Sequence, residues 1–231
     1  MLSRTISRRN SKAPLSLTKD REHTILCLGD SNTFGLKPGT SERYDASVRW
    51  TSLLQKQLGR RYHIIEEGLC GRTTVYIDPY RQSRRMIDVL PVLLESHQPL
   101  DGIVLMLGTN DCKTIFHNEA RNISKGMDYI LQLIHRRMPD VPLLLISPIH
   151  LGDHVGLVDQ DFNEHSVEVS KNLASFYETL ALKYDYDFLD ASHIAKAAHE
   201  DEQHLNKEGH QAFADALTSY FLQKDDSYES S

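Results

Sequence analysis

The chain has 231 residues, of which 40% are hydrophobic and 25% are charged, and 32 acidic residues against 26 basic ones give a net charge of −6. This composition excludes collagen-like, low-complexity and fully disordered chains, and the negative charge argues against nucleic acid or an anionic membrane surface as a partner. The longest apolar runs, 103–107 and 141–146, are much shorter than the roughly 20 residues of a membrane-spanning helix. We therefore expect a globular protein that is not embedded in a membrane.

The two ends of the chain differ from its middle. Residues 1–22 open with a Ser-rich, basic stretch that lacks the apolar core of a secretory signal. We interpret this stretch as a disordered extension, although its composition overlaps with that of an organelle transit peptide. Residues 225–231 are predicted to be an acidic tail, which leaves 23–224 as the folded domain. Three widely spaced cysteines without a CxxC pair favour a reducing compartment, and we expect the protein in the cytoplasm.

Between the ends, short apolar runs alternate with longer segments of helical periodicity. This alternation is the pattern of βαβ units, which build a parallel sheet with helices against it. In chain order it predicts a strand at 24–28, a helix at 48–58, strands at 63–65 and 102–107, a helix at 124–137, a strand at 143–146, a helix at 167–183, a strand at 187–189, and a last helix after an N-cap at Asn206.

Glycine-containing polar loops follow the first three predicted strands, at 29–32, 68–74 and 108–111. In an open parallel sheet, ligands bind beyond the carboxyl ends of the strands, where such loops meet. Glycines allow a sharp turn there and can leave backbone N–H groups free to stabilise a negative oxygen. Ser31 in the first loop is therefore a candidate nucleophile, although a serine after a Gly-Asp turn can also be only a helix N-cap.

A serine hydroxyl needs a neighbouring base before it can act as a nucleophile. Among twelve histidines, His204 follows Asp201 by three residues, close enough for a compact loop to bring the carboxylate to one ring nitrogen. The chain order Ser, Asp, His also occurs in α/β serine hydrolases. The alternative is that His204 is a surface histidine in an acidic, solvated loop.

Four blocks together, 29–32, 68–71, 108–111 and 201–204, resemble the SGNH (GDSL-type) hydrolase family. Further similarities at Tyr44, Arg49 and Trp50, and in segments such as 65–69, 72–74 and 96–101, resemble its arylesterase/acyltransferase and carbohydrate-esterase branch. The resemblance covers residues 24 to about 222. It implies a flavodoxin-like, three-layer α/β/α fold around a five-stranded parallel sheet, and the hydrolysis of small acyl esters without a metal or cofactor.

The resemblance also implies a role for each matching residue. Ser31 would be the nucleophile, His204 the general base and then acid, and Asp201 the residue that orients His204. The oxyanion hole would consist of the backbone N–H groups of Ser31 and Gly71 and the side-chain amide of Asn110. Asp30 and Asp111 would fix their loops by accepting backbone N–H bonds.

Two further residues, Trp50 and Cys70, are expected to line the substrate pocket. Core packing alone would also explain Trp50, and Cys70 could simply be a small buried hydrophobe. Many relatives have Asn or Ser in place of Cys70. This departure puts the substrate in question rather than the reaction.

We expect a serine esterase that hydrolyses short-chain, chiefly acetyl, esters of small alcohols, phenols or sugars through an acyl-serine intermediate. A pocket that excludes water would allow acyl transfer to alcohols instead. The alternatives are an O-acetyl carbohydrate deacetylase and a non-catalytic flavodoxin-like module that binds a small molecule. The long loop at 151–164 favours a homo-oligomer. The resemblance favours one too, because members of this branch often form oligomers.

Overall fold

The computed structural model describes residues 6–7 and 22–229, which form one sheet with helices on both of its faces. The other residues of the predicted N-terminal extension, and the last two of the predicted acidic tail, lie outside the described residues. The strands are β1 (Ile6–Ser7), β2 (His23–Gly29), β3 (Tyr62–Gly68), β4 (Gly102–Met106), β5 (Leu143–Ser147) and β6 (Asp187–Asp190). The helices are α1 (Ser31–Phe34), α2 (Trp50–Leu58), α3 (Met86–Ser96), α4 (Ala120–Arg137), α5 (Val155–Val158), α6 (Glu164–Tyr184) and α7 (Lys207–Glu229).

The five predicted strands form a parallel sheet in the order β3-β2-β4-β5-β6, which is the flavodoxin-like order. This fold prediction is confirmed. A sixth strand was not predicted: β1 pairs antiparallel with the outer edge of β6, with Ile6 opposite Leu189. Two residues are too few to show a periodic pattern, and they lie in the segment expected to be an extension.

The sheet is buried on both faces, which explains the continuous apolar runs of its central strands. Every residue of β4 and β5 is buried. Alternate side chains point to opposite faces, so Leu26 and Leu105 pack with helices α3, α4 and α6, while Ile25 and Val104 pack with α2 and α7. Within the described residues, no helix combines the length and apolar composition needed to cross a bilayer.

Helix α3, strand β3 and helix α7 also differ from the sequence prediction. Helix α3 was missed, although Met86, Leu90 and Leu94 form a buried stripe at helical spacing, because Pro91 interrupts the signal. Strand β3 extends through the charged residue Glu66, which is accommodated at the edge of the sheet by ion pairs with two arginines. Helix α7 continues to Glu229 and includes most of the residues assigned to an acidic tail.

Candidate active site

The site lies where the chain leaves neighbouring central strands in opposite directions. Strand β2 has β3 on one side and β4 on the other, so the loops after β2 and β4 open a crevice at their carboxyl ends. Ser31 lies two residues beyond the end of the first of these strands, and Asn110 lies four residues beyond the end of the second. This topology brings together residues that are far apart in the sequence.

The turn after β2 presents Ser31 at the start of a helix. A Cβ on Gly29 would lie 2.0 Å from Oγ1 of Thr33 and 2.9 Å from the carbonyl oxygen of Met106, so only glycine fits this turn. The next residue, Asp30, caps α1 by accepting a hydrogen bond from the backbone N–H of Asn32 at 3.0 Å. Ser31 therefore starts the helix, and it is the residue before it that provides the N-cap.

His204 links the hydroxyl of Ser31 to the carboxylate of Asp201. Its Nε2 lies 2.9 Å from Oγ of Ser31, and its Nδ1 lies 2.7 Å from Oδ2 of Asp201. All three residues are buried, which keeps bulk water from competing for these hydrogen bonds. The arrangement allows the imidazole to accept the serine proton while the carboxylate fixes its orientation. The sequence predicted that these three residues would meet, and the structure brings them together.

Backbone N–H groups hold the carboxylate of Asp201 in place. Oδ1 accepts hydrogen bonds from Gln203 and His204 at 3.1 and 3.0 Å, and Oδ2 accepts one from Gly39 at 2.7 Å. Burial raises the pKa of Asp201, but the hydrogen bond and charge of His204, together with the backbone donors, outweigh that effect and lower the pKa to about 2. The carboxylate is therefore ionised at neutral pH.

Replacing Asp201 with Asn should destabilise the protein at pH 7 by about 2 kcal/mol, because the folded state favours the ionised carboxylate. The folded-state pKa is below the ordinary value of 3.8, so this stabilisation is nearly complete above about pH 5 and is lost as the pH falls through 3.8 towards about 2. Thermal unfolding of wild type and Asp201→Asn at pH 7 and at successively lower pH measures it. We expect the difference in Tm to shrink towards acid pH. A difference in Tm that stays constant would contradict the assignment of a lowered pKa to Asp201.

The three predicted oxyanion donors line one cavity of about 690 Å³ together with the triad. Gly71 has a φ of +78°, which a residue with a side chain rarely adopts. Among the described residues, the backbone N–H groups of Ser31 and Gly71 donate to no acceptor. Asn110 donates one amide hydrogen to the carbonyl of Arg72 at 3.1 Å, so its second hydrogen is available. The site thus has three unused donors for an oxygen bound in the cavity.

Two buried carboxylates stabilise these loops from outside the cavity. Asp111 accepts hydrogen bonds from the backbone N–H and the hydroxyl of Thr74, so it ties the loop after β4 to the loop after β3. Burial raises its pKa to about 7 against the effect of these bonds, and it also raises the pKa of Asp30. The expectation that Asp30 and Asp111 accept backbone N–H bonds is confirmed.

Trp50, which was predicted to line the substrate pocket, is not among the residues that line this cavity. It is 1% exposed, packs against Phe213 and donates its indole N–H to the carbonyl of Asn32 at 3.1 Å. Trp50 therefore supports the nucleophile loop from the core. Cys70 does lie in the cavity wall, next to Gly71, and its pKa is raised by partial burial.

Asn32 is a functional residue that sequence reasoning missed. Its amide donates to the carbonyl of Gln203 at 3.2 Å, and its side-chain oxygen accepts from the backbone N–H of Leu205 at 2.9 Å. The two bonds hold the segment that carries His204 against the residue next to Ser31. These partners are 171 and 173 residues apart in the chain, so no local pattern indicates them.

Charged side chains complete the cavity wall, with Arg81 and Lys113 as cations and Asp159 and Asp161 as anions. Lys113 is buried and its ammonium lies 2.8 Å from Asp161. In the part of the chain that the structure describes, no group of three or more His, Cys, Asp or Glu side chains is placed to hold a metal ion. The cavity wall is therefore polar and carries charges of both signs.

Comparison with known proteins agrees with this geometry. Residues 27–212 match the GDSL-like lipase/acylhydrolase family, a span that contains Ser31, Gly71, Asn110, Asp201 and His204. A search among curated protein sequences found no match.

Solved structures of esterases share the fold over nearly their whole length. The aryl esterase of M. smegmatis is 31% identical with a TM-score of 0.81, and covers 87% of this chain and 99% of its own. Est24, a carbohydrate acetylesterase from Sinorhizobium meliloti, is 31% identical with a TM-score of 0.83 and the same coverage. A second carbohydrate acetylesterase family member from S. meliloti is 36% identical with a TM-score of 0.81, covering 87% of this chain and 98% of its own. The chain belongs to the GDSL-like lipase/acylhydrolase family.

Proposed function

We propose that this esterase hydrolyses short-chain, chiefly acetyl, esters through an acyl intermediate on Ser31. The observation that carries the proposal is the continuous hydrogen-bonded chain from Oγ of Ser31 through His204 to Asp201, with spacings of 2.9 and 2.7 Å. A buried serine, histidine and carboxylate in this order can activate the hydroxyl without a metal or cofactor.

In the first half of the reaction, Nε2 of His204 takes the proton of Ser31 as Oγ attacks the ester carbonyl carbon. The carbonyl π electrons move to its oxygen, which becomes negative and accepts hydrogen bonds from the N–H groups of Ser31 and Gly71 and from the amide of Asn110. Asp201 stabilises the imidazolium that forms. When the carbonyl re-forms, the bond to the alcohol oxygen breaks, and His204 gives that oxygen its proton.

In the second half, water replaces the alcohol. His204 removes a proton from the water as its oxygen attacks the acyl carbon, and the same three donors hold the negative oxygen. Collapse of this intermediate breaks the bond to Oγ of Ser31, which recovers its proton from His204. The products are a carboxylic acid and the original serine. An alcohol in place of water gives acyl transfer by the same steps.

The relatives favour two classes of acetyl ester. Neighbours are described as an aryl esterase and as carbohydrate acetylesterases, and the polar cavity of about 690 Å³ has room for a phenol or a sugar beside an acetyl group. The proposal is tested by comparing the rates of hydrolysis of aryl acetates, sugar acetates and acetylated xylan with the rates for p-nitrophenyl butyrate and octanoate. We expect acetyl esters to have the highest kcat/KM. Faster turnover of the octanoate would contradict the short-chain assignment.

We also infer that the protein forms a homo-oligomer in the cytoplasm. The support for assembly is the loop at 151–164, whose Leu157 and Val158 are 85% and 54% exposed, with Val158 on the rim of the cavity. Apolar side chains at this exposure favour burial against another surface. A light-scattering mass of one chain at micromolar concentration would contradict the oligomer.

A further inference from the structure

Two cations line the cavity in front of Ser31, and the described residues pair with them differently. Lys113 is buried, and its ammonium lies 2.8 Å from Asp161 and 3.4 Å from Asp78, so its charge is already paired. Arg81 also lines the cavity, and its side chain is exposed. In residues 6–7 and 22–229, its guanidinium forms no ion pair and no side-chain hydrogen bond.

The carboxylates of the cavity are engaged elsewhere. Asp201 holds the imidazole of the triad at 2.7 Å, and Asp161 pairs with Lys113. Asp159 accepts a hydrogen bond at 3.0 Å from the side-chain amide of Gln203. Arg81 is therefore a cation of the cavity that none of these carboxylates pairs with, in a protein whose overall charge is −6. A guanidinium with five free donors in a substrate cavity is a binding group for a planar anion such as a carboxylate.

Arg81 lies directly beside a proposed oxyanion donor. A Cβ on Gly71 would be 2.4 Å from Nη1 and 3.0 Å from Cζ of Arg81, so the guanidinium occupies the space where a side chain at Gly71 would stand. The backbone N–H of Arg81 donates to the carbonyl of Asp78 at 3.3 Å, which anchors the turn that carries it. An ester whose carbonyl oxygen accepts a hydrogen bond from the N–H of Gly71 would therefore lie close to the guanidinium.

We propose that Arg81 binds a carboxylate of the substrate, so that the natural ester carries a negative charge close to its scissile bond. This inference rests on the proposed function and narrows it to anionic esters. The carboxylate can belong to the acyl group, as in a hemisuccinate, or to the alcohol, as in an acetylated hydroxy acid. Both place an anion within a few bonds of the carbonyl carbon, and substrate pairs distinguish them.

The test compares each anionic ester with a neutral partner. Mono-p-nitrophenyl succinate against p-nitrophenyl acetate examines the acyl side, and 3-acetoxybenzoate against phenyl acetate examines the alcohol side. In at least one pair, Arg81→Gln should lower the ratio of kcat/KM for the anionic over the neutral ester by about tenfold, the effect of losing one charge-assisted hydrogen bond in a partly solvated site. Arg81→Lys should retain most of the ratio, because it keeps the charge.

Arg60→Gln is the matched control, since Arg60 is an exposed arginine that does not line the cavity. It should leave both ratios at the wild-type value. Added salt should lower the ratio of the wild type more than that of Arg81→Gln, because salt screens the charge pair. If Arg81→Gln changes neither ratio while Ser31-dependent turnover of neutral esters is normal, Arg81 does not bind a substrate carboxylate and the proposed esterase function stands. If no ester is turned over by Ser31, both the inference and the proposed function fail.

Discussion

Replacing Ser31 with alanine is expected to lower kcat for p-nitrophenyl acetate by roughly 10⁴- to 10⁶-fold while the protein stays folded. The reason is that Oγ of Ser31 is the only atom of this residue that lies in hydrogen-bond contact with the base, at 2.9 Å from Nε2 of His204. Without it no acyl-serine can form, and the remaining donors can only polarise the ester for attack by water. Steady-state kinetics and a thermal melt of the same preparation measure the two parts of this prediction.

A fluorophosphonate probe provides a second measurement, because it adds covalently to an activated serine. Wild type should be labelled stoichiometrically, and Ser31→Ala should not be labelled. Ser175→Ala is the matched control, since Ser175 lies exposed on α6 and donates its hydroxyl to the carbonyl of Asn172 at 3.1 Å. It should behave as wild type in both assays. Wild-type turnover or labelling in Ser31→Ala would remove the acyl-serine mechanism and favour a binding module.

The second large effect is expected at Asn110, whose replacement by alanine should lower kcat by about 10²- to 10³-fold with a much smaller change in KM. Its amide can donate to the carbonyl oxygen, and this bond strengthens as negative charge develops on that oxygen in the transition state. The loss therefore appears mainly in kcat. Initial rates over a range of p-nitrophenyl acetate concentrations separate the two constants.

Asn110 also donates to the carbonyl of Arg72 at 3.1 Å, so its truncation can loosen the loop as well as remove a donor. A thermal melt of Asn110→Ala detects the loosening, and Asn110→Asp tests the donor further, because it keeps the volume but places an acceptor where the oxyanion needs a donor. We expect a loss of kcat at least as large as in the alanine variant. Asn172→Ala, at an exposed asparagine of α6 that donates to Glu168, is the control. If Asn110→Asp retained full kcat, Asn110 would not belong to the oxyanion hole.

Much of the fold could be predicted because its signals are local. Buried parallel strands need continuous apolar runs, and the helices between them need an apolar stripe, so both appear within windows of a few residues. The carboxyl ends of such strands meet at one edge, which is why the loops that contain Ser31 and Asn110 were expected to converge. His204 could be selected among twelve histidines because Asp201 is three residues away and the block 201–204 resembles the SGNH family.

The parts that could not be predicted depend on contacts between distant residues. The bond of Asn32 to Gln203 joins residues 171 positions apart, and nothing in either neighbourhood indicates it. Trp50 begins α2, and whether its ring faces the cavity or the core follows from how that helix packs against α7. Arg81 looks like one more surface arginine in the sequence, since its place beside Gly71 depends on the path of the loop after β3.

The bridge from Asn32 to the segment around Leu205 has a consequence for how the enzyme loses activity under stress. The side chain of Asn32, which follows Ser31, is hydrogen-bonded to the backbone on both sides of His204, so neither the nucleophile nor the base can move without straining that link. The machinery is thus assembled before any ester arrives and requires no closing movement. Mild denaturant should therefore abolish turnover only when the whole domain unfolds. Loss of esterase activity and loss of the fold should follow a single transition.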